Sequence, residues 1–88
     1  MNTDRVIFHK FSEGDIIAFL PDVEVNFGKI MSYQHVGQHG EADSQISSYT
    51  KLAQPGEYQD LLTELKSIGY NPKIYKKLQY GWLNWQRH

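Results

Sequence analysis

The segment YQHVGQHGEAD, residues 33–43, combines the residue types that most often carry chemistry in proteins. His35 and His39 lie four residues apart, Gly37 and Gly40 interleave with them, and acidic residues follow. Histidine and carboxylate side chains can bind a metal ion or transfer protons, and glycine loops can approach a phosphate group. Each of these chemistries requires a particular separation of side chains, which depends on the element that carries them.

A metal site is one interpretation of the two histidines. Histidines four apart share a face on a helix, but each of the two glycines disfavours a helix by about 1 kcal/mol. On an extended strand the pair would be roughly 13 Å apart at ~3.3 Å per residue, too far for one ion with Zn–N bonds of about 2.1 Å. A tight loop is therefore needed to join His35 and His39, with His9, Glu41 or Asp43 completing the site. The metal candidates are His35, His39 and Asp43.

A phosphate-binding loop is the second interpretation. Gly37-Gln38-His39-Gly40 has the GxxG form with which some RNA-binding domains clamp a nucleic-acid backbone. Those loops join two helices and usually carry Lys or Arg, whereas this segment has Gln and His and follows a predicted strand. The patterns of P-loops and dinucleotide-binding turns are absent from the sequence.

Catalysis is the third interpretation, because Ser44, Ser47 and Ser48 follow the histidines and acids closely. A serine nucleophile requires a base and an orienting acid in a fixed geometry, and no recognisable motif supplies that geometry here. The sequence therefore predicts no catalytic residue and no cofactor, and the protein is not expected to be an enzyme.

The simplest interpretation is that a strand ends at Val36 and a polar glycine turn follows it. Glycine supplies the backbone angles that a turn requires, and histidines hydrogen-bond locally. A polar loop of this kind can also serve as a recognition surface. The residues expected to contribute to such a surface are His35, Gln38 and His39.

The C-terminal segment is basic, whereas the remainder of the chain is acidic. Residues 1–69 contain five Lys/Arg and ten Asp/Glu, and residues 70–88 contain four basic residues and no acid. One interpretation is a solvated edge strand protected by lysines. The other is a contact surface for an anionic partner. The basic residues are Lys73, Lys76, Lys77 and Arg87.

Aromatic residues interleave with these cations, namely Tyr75, Tyr80, Trp82 and Trp85. Rings and cations on a strand surface can hold single-stranded nucleic acid, so a nucleic-acid partner is one alternative. Rings are also needed for the core of so short a chain, which is a second alternative. Trp82 and Trp85 could instead contact another protein or a second copy, because tryptophan is enriched at interface hot spots. A homodimer is therefore a further possible state.

Length and composition limit the class of protein. The 88 residues predict a single domain over 1–88. The absence of cysteine excludes disulfides, Cys-based zinc sites and a thiol nucleophile. Asp4 and Arg5 directly precede the first apolar run, and no apolar run approaches the ~18 residues of a membrane span. A cytoplasmic location without membrane association is expected.

The periodicity of apolar residues predicts an α+β fold with a four-stranded, mostly antiparallel sheet in the order β-β-β-α-β. Residues 5–20 predict a hairpin, and its second strand, 16–20, is apolar throughout, as expected for a central strand. A third strand is expected over 29–36 and an amphipathic helix over 55–68, packed on one face of the sheet. The last strand is expected over 73–85, with residues 75–88 as a partly extended tail.

Three segments together resemble a group of small bacterial proteins of similar length. They are VIFHKFSEGDIIAFLPD (6–22), MSYQHVGQHGEAD (31–43) and EYQDLLTELKSIGY (57–70). The resemblance implies a cytoplasmic bacterial protein and makes the histidine–glycine segment part of the pattern of the domain. It implies no activity, cofactor or catalytic residue.

These observations predict a non-enzymatic protein-interaction or self-associating module. Its contact surfaces would be the 35–43 segment and the tail that carries Trp82 and Trp85. A nucleic-acid-binding accessory protein using the basic aromatic strand is the first alternative. A metal-binding protein using His35 and His39 is the second.

Overall fold

The computed structural model describes residues 3–23, 25, 29–34, 38–48 and 50–77. Six strands and one α-helix account for most of these residues. The strands are β1 (Asp4–Lys10), β2 (Ile16–Leu20), β3 (Lys29–Gln34), β4 (Gln38–Asp43), β5 (Lys51–Leu52) and β6 (Pro72–Ile74). The helix α1 spans Pro55–Ser67, and a short 3₁₀ helix spans Ser44–Ser48.

The strands form one sheet in the order β4-β3-β2-β1-β5, with β6 also pairing with β1. Neighbours along this path pair antiparallel, and only β6 runs parallel to its partner β1. The predicted α+β class, the mostly antiparallel sheet and the single helix packed on one face are confirmed. The described part of the sheet has six strands, so the predicted count of four was too low.

The two additional strands, β4 and β5, lie between the predicted third strand and the helix. Residues 38–43 form β4 instead of continuing the predicted glycine turn, and residues 51–52 form the two-residue β5. The strand β3 is described as far as Gln34, and residues 35–37 lie outside the described part of the chain. The strand β6 ends at Ile74, because residues 75–77 are not part of a strand. Residues 78–88 also lie outside the described part of the chain.

The predicted hairpin is confirmed, and its turn depends on one glycine. Phe11 N–H donates to Asp15 O at 2.9 Å, and Gly14 N–H donates to Phe11 O at 2.9 Å. Gly14 has a φ of 103°, in the region that side chains with a Cβ rarely adopt. The turn sets the register in which Ile7 faces Phe19 and Phe8 faces Ala18.

Both faces of the sheet are buried. On one face, side chains of β1, β2 and β3 pack against Leu61, Leu62 and Leu65 of α1. On the opposite face, alternate residues of the same strands pack around Ile46 of the 3₁₀ helix. The central strand β2 contributes to both clusters, as its unbroken apolar run predicted.

The end of α1 is fixed by a glycine in the left-handed conformation. Gly69 has a φ of 109°, its N–H donates to Lys66 O, and Tyr70 N–H donates to Leu65 O. These two bonds form the Schellman arrangement that caps a helix carboxyl end. The chain therefore turns sharply at Gly69 and brings Tyr70 back towards the sheet.

A buried histidine, His9, bonds to the segment that packs on the second face of the sheet. His9 Nδ1 lies 2.7 Å from Thr50 Oγ1, and the Thr50 hydroxyl donates to Ile46 O at 2.9 Å. Because that hydroxyl proton is already used, Nδ1 of His9 must carry the proton and donate. Burial lowers the pKa of His9 below its ordinary value of 6.5, since it penalises the charged ring.

In the described part of the chain, no helix combines the length and the apolar character required to cross a membrane.

We expect the free energy of unfolding to fall as pH decreases from about 7.5 through 6.5, because the unfolded chain then binds a proton that buried His9 resists. The stability is fully present above the unfolded pKa and is lost towards the lower folded pKa. Urea unfolding at stepped pH measures this decline. His9→Asn keeps a side-chain donor for Thr50 but cannot titrate, so its decline in this window should be smaller.

His39→Asn serves as the control, because it removes an exposed histidine and leaves the His9 ring in place. This variant should keep the decline of the unmodified protein. An equally steep decline in His9→Asn would show that another group causes the pH dependence.

Candidate functional site

His39 lies on β4, the outermost strand of the sheet, with its side chain on the face that carries α1. It pairs with Tyr33 in the register between β3 and β4, and the two rings meet edge-on with centroids 4.7 Å apart. His39 Nε2 lies 2.9 Å from the Tyr70 hydroxyl. The helix cap at Gly69 and the β3–β4 pairing together therefore position this histidine.

Tyr33 and Glu64 form a second pair beside His39. The Tyr33 ring is fully buried, and its hydroxyl donates to Glu64 Oε2 from α1. We call Tyr33, His39, Glu64 and Tyr70 the His39 cluster. Their rings and hydrogen bonds connect β3, β4 and α1, so the cluster fixes the outer strand to the helix.

The titratable groups of the His39 cluster bond to one another. Burial raises the pKa of Tyr70 above its ordinary value, and the negative charge of Asp4 raises it further. Tyr70 therefore stays protonated near neutral pH, and its hydroxyl shares a hydrogen bond with Nε2 of His39. Of the serines in the catalytic interpretation, Ser48 donates to Gln45 O at 2.7 Å within the 3₁₀ helix, and the side chains of Ser44 and Ser47 lie outside the described ones.

The extended geometry of β4 also bears on the metal hypothesis. His39 and Asp43 are four residues apart on this strand, so their backbones are roughly 13 Å apart at ~3.3 Å per residue. His35 and the Asp43 side chain lie outside the described residues. Among the described residues, no three His, Asp or Glu side chains come together in a group that could hold a metal ion. The metal site stays a prediction.

The basic residues lie at the other edge of the sheet. Lys73 belongs to β6, and its Nζ lies 5.7 Å from the centroid of the Tyr75 ring, in cation–π contact. Lys76 and Lys77 follow β6 and are exposed. Arg87, Trp82 and Trp85 lie outside the described residues. The described parts of the two predicted surfaces, β4 and β6, are separated by four strand spacings, roughly 19 Å at ~4.8 Å each.

A cleft of about 350 Å³ opens beside these lysines. It lies where β1 changes partner, since Val6 O accepts from Tyr75 N–H and Phe8 O accepts from Ala53 N–H. We call it the β1 cleft. Its lining consists of Phe8, Leu52, Ala53, Gln54, Pro55, Tyr58, Ile74, Tyr75 and Lys76.

Two stacked aromatic rings line the β1 cleft. Tyr58 of α1 stacks on Phe8 with ring centroids 4.3 Å apart and planes inclined by 9°. Phe8 belongs to the core, and Tyr58 packs against it. The start of α1, which carries Tyr58, is held by an ion pair between Lys10 and Glu57 and by Gln54 N–H donating to Glu57 Oε1 at 2.8 Å. The Lys10 contact holds the pKa of Glu57 below its usual range.

Sequence reasoning missed the β1 cleft because its residues come from four separated segments. Leu52 and Ile74, which line the cleft, are 38% and 41% exposed. In the sequence, Ile74 is one member of an alternating strand pattern, and Leu52 stands in a polar stretch. Only the pairing of β5 and β6 with the same edge of β1 brings them together.

We expect Tyr33→Phe to lower the free energy of unfolding by about 1.5–3 kcal/mol, because it removes a hydrogen bond to a charged, partly buried carboxylate. Tyr70→Phe removes an exposed bond to His39 and should cost less than about 1 kcal/mol. Urea unfolding of both variants at pH 7.5 gives the comparison. Equal costs would show that the Tyr33–Glu64 hydrogen bond contributes no more to stability than the exposed His39–Tyr70 bond.

Comparison with known proteins assigns the chain to no family. No protein-family model, curated protein or solved structure matches the chain. The resemblance to small bacterial proteins therefore stays a prediction from three sequence segments. Function must be inferred from the two edges of the sheet.

Proposed function

We propose that the protein is a non-enzymatic protein-interaction module that binds an apolar side chain of a partner in the β1 cleft. The exposure of two apolar lining residues, Leu52 and Ile74, in a cleft that the stacked Phe8 and Tyr58 also line carries this proposal. Large apolar side chains that remain exposed at a concave site are typical of binding surfaces. Among the described residues, three large hydrophobic side chains are exposed, and two of them line this cleft.

The shape of the cleft favours an extended segment of a partner. Its volume of about 350 Å³ is at the lower end of ligand sites, which suits one or two side chains rather than a large cofactor. Phe8 and Tyr58 are already stacked in the unbound protein, and a preformed site lowers the ordering cost of binding.

The charge near the cleft favours an acidic partner. Lys76 lines the cleft, and Lys73 and Lys77 are close to it in the chain, while residues 70–77 contain no acid. Positive charge at the rim of an apolar site increases the association rate of acidic partners and disfavours basic ones. The proposed ligand is therefore a peptide segment with Leu, Phe or Tyr between Asp or Glu residues.

A cytoplasmic role in bacteria is part of the same proposal and rests on the sequence resemblance. In this role the protein would recruit a partner segment and perform no reaction. The arrangement of the His39 cluster supports that view, because its titratable groups bond to one another and hold β4 in place.

We expect Leu52→Asp and Ile74→Asp to weaken binding of fluorescent acidic–apolar peptides at least tenfold, because each places a carboxylate beside the apolar site. Fluorescence anisotropy with a panel of such peptides measures the affinity. The same peptides with Lys in place of Asp and Glu should bind more weakly. Ile68→Asp is the matched control, since Ile68 is 47% exposed but lies outside the cleft lining.

Melting temperatures of all three variants establish that each is folded. Binding that is unchanged in Leu52→Asp and Ile74→Asp, or reduced equally in Ile68→Asp, would contradict a role for the cleft. A panel in which neither acidic nor basic peptides bind would contradict the proposed partner class.

Nucleic-acid binding is the second candidate function, and the contact of Lys73 with the Tyr75 ring supports it. If it is correct, labelled single-stranded oligonucleotides should bind with an affinity that falls steeply with salt, because counterions are released. Lys76→Glu with Lys77→Glu should then abolish binding, and Lys29→Glu with Lys66→Glu is the control of equal charge away from β6. No binding at low salt removes this candidate.

A further inference from the structure

The strand β4 forms one edge of the described sheet. β4 is the terminal strand of the sheet, and none of the described strands pairs with its outer side. Six consecutive residue pairs join it to β3, so it is a regular strand without a bulge. Its sequence, QHGEAD, contains neither the Pro nor the Lys that often protect such edges.

The alternation of the backbone identifies which groups point outward. Val6 and Phe8 of β1 direct their carbonyls away from β2, to Tyr75 and Ala53. Backbone groups alternate between the two sides of a strand. Following the registers from β1 to β4, Gly40 faces inward to β3, and the outward N–H and C=O groups belong to His39, Glu41 and Asp43.

We propose that two copies of the protein pair through β4 in an antiparallel, two-fold register centred on Gly40. In this register His39 lies opposite Glu41 of the partner subunit, and Gly40 lies opposite its own copy. The inference rests on the proposed role as an interaction module and specifies a second copy as the partner at this edge. It extends one sheet across both copies and leaves both β1 clefts on the outer edges.

The side-chain pattern selects this register among the two-fold ones. Both copies must present α1 on the same face of the continuous sheet, so residues of equal parity must face each other. Centring on Glu41 would place two carboxylates directly opposite, which is unfavourable. Centring on Gly40 instead forms two symmetric His39–Glu41 pairs across the strands, on the face that carries α1.

The hydrogen bond inside the His39 cluster prepares His39 for this contact. The Tyr70 hydroxyl lies 2.9 Å from His39 Nε2, so Nδ1 is the ring nitrogen left for a carboxylate on the neighbouring strand. A proton on Nδ1 would let His39 donate to that carboxylate. Cross-strand pairs of opposite polarity on one face are the main side-chain stabilisation between antiparallel strands.

The proposed axis can be tested by substitution at Gly40. Its φ is not in the left-handed region, since Gly14 and Gly69 are the positive-φ glycines of the described residues. A Cβ placed on Gly40 would meet only Ser32 Oγ, at 3.9 Å, which is ordinary contact. The single copy therefore tolerates a side chain at this position. Across the two-fold axis the pair is not hydrogen-bonded and has the closest backbone approach of a sheet, about 4.5 Å between Cα atoms.

The area of one six-residue strand pair is small compared with that of stable interfaces, so the dimer should be weak and should depend on concentration. Cross-linking suits such a state, and the chain contains no cysteine. Gly40→Cys places two thiols across the axis within disulfide distance. Glu41→Cys places its pair about 9 Å apart between Cα atoms, beyond the ~7 Å limit for a bridge.

The experiment oxidises each single-cysteine variant of the full chain with oxidised glutathione and measures covalent dimer on a non-reducing gel. We expect Gly40→Cys to form dimer at least tenfold faster than Glu41→Cys and than Glu13→Cys, which reports random collision from the exposed β1–β2 turn. Equal rates for the three variants, or faster bridging at residue 41, would overturn the proposed pairing.

Sedimentation velocity without cysteine gives an independent result. Gly40→Thr should raise the dimer fraction at a given concentration, because paired threonines are favourable across strands. Gly40→Lys should lower it, because two like charges would face each other, and unchanged fractions would contradict the register. Neither experiment involves the β1 cleft or a peptide, so a negative result here leaves the peptide-binding test of the proposed function intact.

Discussion

Burial of β2 on both faces is the constraint on which the remainder of the fold depends. An α-helix covers one face, and the segment around Ile46 must cover the other. That segment is short and polar, so it contributes little apolar area of its own. Two hydrogen bonds hold this segment in place despite its small apolar area. His9 of β1 donates to Thr50, and the Thr50 hydroxyl donates to the Ile46 carbonyl within the segment. A neutral, buried His9 is thus part of the second layer of the structure.

The two edges of the described sheet differ in chemistry because different elements form them. At one edge a single polar strand, β4, lies next to the His39 cluster. At the other edge β1 has two short partners, and the β1 cleft lies between them, lined by Leu52 and Ile74. The first side suits backbone pairing with a like strand, and the second suits side-chain insertion. One small sheet can therefore serve two contacts without competition between them.

Local sequence patterns predicted the elements in which the pattern of apolar residues matches the burial of their side chains. The hairpin has an apolar run on each side of a Gly14 turn, and α1 has a leucine stripe between Pro55 and Gly69, so both were predicted close to their observed bounds. The strand β4 was missed because an edge strand needs no apolar alternation, and QHGEAD resembles a turn. Its extended form is imposed by pairing with β3, which no local pattern encodes.

The candidate site was predictable only in part for the same reason. His39 was identified from its residue type, but its partner Tyr70 lies 31 residues away and reaches it only through the helix cap. Lys76 was identified from the charge distribution, whereas the cleft beside it arises from four segments that the fold assembles. Residue types thus identified one residue at each edge of the sheet. The contacts around these residues depend on long-range strand pairing, which the sequence alone did not predict.

The parallel pairing of β6 with β1 has a consequence for the order of folding. Its three residue pairs join the fourth to sixth residues of the chain to residues 72–74, so a loop of almost the whole domain must close before they form. Closing so long a loop is entropically costly, and three residue pairs provide little stabilising free energy in exchange. β6 should therefore dock last in folding and detach first in local opening. Because β6 supplies one wall of the β1 cleft, transient detachment would admit ligands through a partly unfolded state, and a bound ligand would in turn hold the two ends of the domain together.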